Sequence, residues 1–173
     1  LALGAATEAI ADSGLDTEAE GKDIGVILSS GIGGIGRIEE EHDKYRAKGP
    51  GRISPFFVPM MIGNMAAGQV AIRTGFRGDN FCTTTACASA THAIGEAFRK
   101  IKDGYLDVCL CGGSESTITE FTLGGFRTMK ALTTESDPAK ASTPFDLNRG
   151  GFVLGEGSAV LVLEEYEHAK ARG

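Results

Sequence analysis

The sequence predicts a layered α/β fold with a mixed, mostly parallel sheet. Short apolar runs at residues 24–28, 107–111 and 158–163 alternate along the chain with segments of helical periodicity. The run Ser158-Ala159-Val160-Leu161-Val162-Leu163 does not alternate polar with apolar residues, as expected of a central strand covered on both faces. Residues 88–102 give the clearest helix, with Ala90, Ala93, Ile94, Ala97, Phe98 and Ile101 on one stripe and Glu96, Arg99 and Lys100 on the wet side.

The remaining elements follow in order. Leu3, Ala6 and Ile10 have helical spacing, and Ser13-Gly14 stops that helix. Residues 24–28 form a buried strand, 31–36 a Gly-rich turn, and 35–48 a polar helix ended by Gly49-Pro50-Gly51. Residues 52–59 are expected to be extended, because Pro55 and Pro59 disfavour helix. Residues 60–73 read as a helix rich in small residues, and 80–85 as a β-branched strand. Residues 117–126 are expected to be helical and 130–151 a long loop, and the chain runs from its last strand into a charged helix.

A length of 173 residues suits one domain with a real core. Gly supplies 25 residues, about twice its average share, which implies many tight turns and close backbone contacts. The net charge of −6 argues against a nucleic-acid face. No apolar stretch approaches the ~20 residues that span a bilayer, and no basic segment precedes an apolar run at the start, so a cytoplasmic protein is expected. The four cysteines, Cys82, Cys87, Cys109 and Cys111, read as free thiols. The chain opens in mid-helix at Leu1-Ala2-Leu3-Gly4 and closes in a helix start, so both ends are expected to be cut.

Cys87 carries the chemistry. The segment 81–90 runs strand, sharp turn, helix, with the cysteine where the helix begins. The first N–H groups of a helix lack internal partners and carry positive partial charge, which favours a thiolate. The Cys87 amide is placed to face an oxyanion formed on a carbonyl attacked by its sulfur. A nucleophile usually needs a base. His92 lies about 140° around the helix from Cys87, and His42 and His168 fall in charged, solvated segments, so the base is expected outside this chain.

The elbow Thr85-Ala86-Cys87-Ala88-Ser89-Ala90 resembles that of β-ketoacyl-acyl carrier protein synthases, closest to the KAS II branch. Ser30-Gly31-Ile32-Gly33-Gly34, residues 53–59, Gly63-Asn64-Met65, Gly112-Gly113-Ser114-Glu115, Ala131-Leu132-Thr133-Thr134, Pro144-Phe145-Asp146 and residues 151–157 agree in the same order. The resemblance covers essentially the whole chain. It implies a thiolase-type α/β/α/β/α fold of which this chain is about one half, the N-terminal one, as a single incomplete domain over residues 1–173. It implies acyl transfer from acyl carrier protein to Cys87, then decarboxylative condensation with malonyl-acyl carrier protein in fatty acid elongation. Two catalytic histidines and a second oxyanion-hole amide would lie in the other half. Ile32 and Phe126 fall on positions lining the acyl pocket, Arg127 and Lys130 on a segment that docks the acidic carrier protein, and residues 80–85 on a homodimer contact. No metal or redox cofactor is implied. Asp79, Thr143 and Gly150 depart from the usual Pro, Arg and Asp, which bears on carrier partner and chain length.

Other readings are weaker. Gly31-x-Gly33-x-x-Gly36 follows a strand and opens a helix, like a dinucleotide fingerprint, but Ser54-Pro55-Phe56-Phe57 stands where an acidic ribose ligand belongs. The cysteine spacings do not form the CxxC pairs of a zinc site. A polyketide-type ketosynthase, or a non-catalytic chain-length-factor or scaffold subunit, would share the fold; scaffold partners characteristically lack the cysteine.

Overall fold

The computed structural model describes residues 1–20 and 23–173. Helices α1 (Ala2–Ser13) and α2 (Thr17–Glu20) lead into strand β1 (Gly25–Ser29), followed by α3 (Ile35–Lys48), α4 (Phe57–Met61) and α5 (Met65–Thr74). Then come β2 (Asn80–Phe81), α6 (Ser89–Lys102), β3 (Val108–Glu115), α7 (Glu120–Thr128), α8 (Pro138–Ala141), β4 (Gly157–Glu164) and α9 (Tyr166–Arg172). The sheet order is β2-β1-β3-β4. β1 runs parallel to β2 and β3, with Val26 opposite Leu110, and β4 closes the sheet antiparallel to β3.

Two apolar clusters fill the faces of this sheet. Val26, Leu28, Val108 and Leu110 point to one side and meet Ala6 of α1 and Ala67 and Val70 of α5. Ile27, Cys109 and Cys111 point to the other and meet Ala93 and Ala97 of α6. The period of two in the strands thus separates the clusters, and the period of 3.6 in the helices supplies their covers. The result is three layers, α/β/α, within this chain. Burial pushes the Cys109 thiol up to about 12 and the Cys111 thiol up to about 11. Both are core residues, and among the described residues no three His, Cys, Asp or Glu side chains gather as metal ligands.

Several expectations need correction. Residues 52–59 are not simply extended: a 3-10 turn covers Pro50–Arg52, and α4 includes Pro59. Pro59 sits in the first turn, where the N–H it lacks has no helical partner. The expected helix over 60–73 breaks between α4 and α5, where the Gly-rich loop packs on the end of α4. A Cβ on Gly34 would stand 2.2 Å from the Met60 carbonyl oxygen, and the Gly34 N–H donates to Met61 O. β3 is longer than expected, because Gly112-Gly113-Ser114-Glu115 continues the strand. β4 is an edge strand rather than a central one. Val160 and Val162 pack toward the cluster under α1, whereas Leu161 is 48% exposed on the opposite face. Phe98, placed on the buried stripe of α6 by its spacing, is exposed. The helix near 117–126 begins later, with the Thr119 side chain accepting the Thr122 N–H as its cap.

Candidate active site

β2 ends at Phe81 rather than at residue 85, because the three threonines that follow turn their hydrogen bonds away from the ladder. Thr83 Oγ1 donates to the Ser89 carbonyl at 2.9 Å, and Thr84 Oγ1 donates to the Ser30 carbonyl at 3.3 Å. Ser89 Oγ, nearly buried, accepts the Thr85 N–H at 2.8 Å and donates to Ala86 O at 2.7 Å. This one hydroxyl therefore ties the Thr84–Thr85 peptide to the Ala86–Cys87 peptide and closes the turn around Thr85 and Ala86. Ala86 is held at φ 51°, a left-handed conformation that costs a side-chain-bearing residue about 1–3 kcal/mol and persists where surrounding contacts enforce it. A 3-10 turn over Ala86–Ala88 then presents Cys87, whose side chain is exposed, immediately ahead of α6. Ala88 at the start of α6 offers no side-chain cap.

The elbow forms one wall of a cleft of about 660 Å³. Cys87, Ile32 and Phe126 all line it, so the structure brings together the cysteine expected to act as nucleophile and the two residues expected to line an acyl pocket. Phe152 and Leu154 add apolar surface, and the rings of Phe126 and Phe152 meet edge to face at 5.3 Å. The cleft floor depends on glycine. A Cβ on Gly113 would stand 2.9 Å from that of Ala90, so the bare backbone of β3 lets α6 and its elbow lie close to the sheet.

Carboxylates fasten the surrounding loops. Glu115, at the end of β3, accepts the Gly31 N–H at 2.7 Å and the Ile32 N–H at 3.1 Å on one oxygen, and the Ser30 hydroxyl at 2.9 Å on the other. Ser30 Oγ accepts the Gly33 N–H at 2.8 Å. These amides are committed internally, so the Gly-rich loop after β1 offers no phosphate cradle of the dinucleotide kind. Glu156 accepts the Ile118 N–H at 2.9 Å, and Glu39 of α3 accepts the Thr119 hydroxyl.

The basic residues Arg127 and Lys130 lie exposed at the end of α7, directly after Phe126. Lys130 takes φ 57°, and the Ala131 N–H donates to Phe126 O, so a lysine fills the left-handed helix-ending position where glycine is usual. Asp79 pairs with Lys100 at 2.5 Å, and that ammonium lies 5.8 Å from the Phe81 ring centroid. The departure at residue 79 thus has a partner on α6.

His42 is exposed. His168 is not merely solvated as expected: its Nδ1 lies 2.6 Å from Glu164, at the opposite end of β4 from the glycines that line the cleft. His92 Nδ1 shares a 2.7 Å hydrogen bond with Thr85 Oγ1 and so buttresses the elbow. Sequence reasoning missed Ser89, Glu115 and Phe152. All three fell inside the motifs that carry the resemblance, but Glu115 finds its partners on the distant loop after β1 and Phe152 meets Phe126 across the cleft. The four-residue spacing of Thr85 and Ser89 across a turn was the one local signal.

The family model for the beta-ketoacyl synthase N-terminal domain matches residues 1–169. The 3-oxoacyl-[acyl-carrier-protein] synthase 2 of Synechocystis sp. is 48% identical over 99% of this chain and 42% of its own length. That of Rhizobium meliloti is 49% identical with the same coverage. Among solved structures, a beta-ketoacyl synthase from Burkholderia phymatum STM815 superposes with a TM-score of 0.88 at 34% identity, over 99% of this chain and 42% of its own. A type II polyketide ketosynthase, solved in complex with its acyl-carrier protein, superposes with a TM-score of 0.91 at 32% identity, over 99% of this chain and 44% of its own. The chain spans less than half the length of these relatives. With the elbow, the cleft and the layered sheet, these likenesses establish that the chain belongs to the beta-ketoacyl synthase family and corresponds to its N-terminal domain.

Proposed function

We propose that this chain is the nucleophile-bearing part of a 3-oxoacyl-[acyl-carrier-protein] synthase of type 2 acting in fatty acid elongation. Cys87 Sγ attacks the carbonyl carbon of an acyl thioester on the phosphopantetheine arm of acyl carrier protein. The acyl group passes to the sulfur and the carrier thiol leaves. Malonyl-acyl carrier protein then loses carbon dioxide, and its carbanion attacks acyl-Cys87. The new carbon–carbon bond gives β-ketoacyl-acyl carrier protein and returns the thiolate. The reading rests on one observation: an exposed cysteine on a strained, clamped elbow at the wall of an apolar cleft.

The remaining parts follow from the resemblance. Histidines of the complete polypeptide would stabilise the developing enolate. Arg127 and Lys130, exposed beside the cleft residue Phe126, would meet the acidic carrier protein, and the β2 edge would pair two copies as a homodimer. All reacting groups arrive on the carrier thioesters, so this chemistry calls for no metal or redox cofactor. Four free thiols suit a cytoplasmic setting, and among the described residues no helix is long and apolar enough to cross a membrane.

The test is the intact mass of the full polypeptide after incubation with a medium-chain acyl-acyl carrier protein, with Cys87→Ser alongside. One acyl adduct on the wild type and none on the variant is expected. The buried Cys109 and Cys111 should stay unmodified. An equal adduct on both proteins, or none on either, would remove Cys87 from its role and favour a scaffold subunit.

A further inference from the structure

Glu115 stands in the cleft wall, yet its oxygens are turned to a loop. Among the described residues no Lys, Arg or His pairs with this carboxylate. Its charge is met by three donors from consecutive residues, the Ser30 hydroxyl and the Gly31 and Ile32 amides. Charge-assisted bonds of this kind are about twice as strong as neutral ones. They cross from the end of β3 to the loop after β1 and join two segments far apart in sequence.

The loop so held carries Ile32, a residue 41% exposed that lines the cleft with Cys87. The fit is close. A Cβ on Gly31 would stand 2.9 Å from a Glu115 oxygen and 3.5 Å from the Ala86 carbonyl oxygen. The loop is therefore wedged between the carboxylate and the strained residue of the elbow. Ser30 extends the arrangement by taking the Gly33 N–H, and its carbonyl accepts Thr84 Oγ1 from the elbow side.

We propose that Glu115 is a positioning residue that sets acyl-chain selectivity by fixing Ile32 against the Cys87 elbow. The proposal rests on the reading of Cys87 as acyl acceptor. Glu115 touches no reacting atom; it acts through the place it gives to Ile32. Glu115→Gln keeps a carbonyl oxygen for the Gly31 and Ile32 amides, and its NH₂ can donate to Ser30 Oγ, so it should preserve the loop. Glu115→Ala removes every acceptor and should free it.

The experiment uses the full polypeptide with Glu115→Ala, Glu115→Gln, Ile32→Ala and the Glu115→Ala/Ile32→Ala double variant. Amide hydrogen exchange across residues 30–33 is measured first. Glu115→Ala should exchange roughly tenfold faster or more at Gly31 and Ile32, and Glu115→Gln should stay near the wild type. Next come the rates of Cys87 acylation by short-chain and long-chain acyl thioesters. Glu115→Ala should shift the long-to-short ratio by about tenfold, Glu115→Gln by less than about twofold, and the double variant no further than Ile32→Ala alone. An unchanged ratio in Glu115→Ala, or an effect additive with Ile32→Ala, would overturn the proposal. If the wild type accepts no acyl thioester, the proposed function fails separately. The same ratio is then read with short-chain and long-chain alkyl maleimides on Cys87, and exchange and alkylation decide the role of Glu115. If Glu115→Ala does not fold, Glu115→Asp takes its place: its shorter side chain withdraws the acceptor from the Gly31 and Ile32 amides, so a shift in the same direction is expected and its absence overturns the proposal.

Discussion

The centre of the sheet and the arch over residues 129–153 both carry large apolar side chains, and these reach opposite ends. In β1 and β3, Val26, Ile27, Leu28 and Leu110 are all fully buried, covered by α1 and α5 on one face and α6 on the other. In the arch, Met129 is 71% exposed, Leu147 92% and Phe145 100%. The arch is held to the body near the cleft by a few backbone bonds, from Thr133 N to Phe152 O and from Phe152 N to Ala131 O. The sheet completes its own core from this chain, whereas the arch shapes one wall of the cleft and leaves its outer apolar side chains uncovered. Such a patch marks a surface that something else can cover.

Two glycines sharpen the contrast, because each blocks a side chain in the same way. A Cβ on Gly112, at φ 145°, would stand 2.1 Å from the Ala159 carbonyl oxygen, between β3 and β4. A Cβ on Gly151, at φ 121°, would stand 2.6 Å from the Leu132 carbonyl carbon, beside the single bridge that pairs Leu132 with Phe152. Gly112→Val should cost more than about 4 kcal/mol and abolish cooperative unfolding in urea, since it parts the ladder at its centre. Gly151→Ala should cost roughly 1–3 kcal/mol, released locally. It should hasten proteolysis within the arch and leave the main transition near its original midpoint. Equal global losses from both would show that arch and sheet fold as one unit.

A smaller effect separates the same regions by side chain alone. Leu110→Ala should lower stability by about 2–5 kcal/mol in urea titration, because it empties a fully packed site. Leu147→Ala should change it by less than about 0.5 kcal/mol, because water already surrounds that residue. If complete polypeptide is used and Leu147→Ala becomes costly, the rest of the protein covers the arch.

The same division governs what the sequence could tell. β1 and the start of β3 were legible because an apolar run in a buried strand is a local pattern. So was most of α6, whose stripe at Ala93 and Ala97 faces the sheet. Phe98 was misplaced because that periodicity marks an apolar face without saying where its cover stops. β4 looked central because Val160 and Leu161 are equally apolar, although they face opposite sides, one covered and one open. At the site, Cys87 was legible from strand, turn and helix in succession. Ser89 was not, because its bonds to Thr85 and Ala86 form only once the elbow turns, and Glu115 was not, because its partners are brought near by folding. A glutamate that accepts amides from a loop some eighty residues earlier leaves no periodic trace.

The smallest effect lies at the far end of β4 and can be isolated by pH. Glu164, 9% exposed, accepts Arg172 Nε at 2.7 Å and Nη2 at 2.8 Å, and meets His168 at 2.6 Å. Arg172 also donates to the Ser13 carbonyl at 2.9 Å, so the carboxylate ties α9 to β4 and α1. The Arg172 bond, then the His168 bond, holds the Glu164 carboxyl below its ordinary range against the opposing effect of burial. A lowered folded value means that the unfolded chain takes up its proton first as pH falls. The contribution of Glu164 to stability is therefore full above the unfolded value of about 4.3 and drains away as pH falls through the folded one. Glu164→Gln should unfold more readily than the wild type at neutral pH, and the two urea midpoints should converge in acid. The variant should acylate Cys87 at the wild-type rate, because the tie lies at the other end of the strand from the cleft. Midpoints that stay apart in acid would assign the tie to packing rather than charge, and slowed acylation would join the closed end of the sheet to the open cleft.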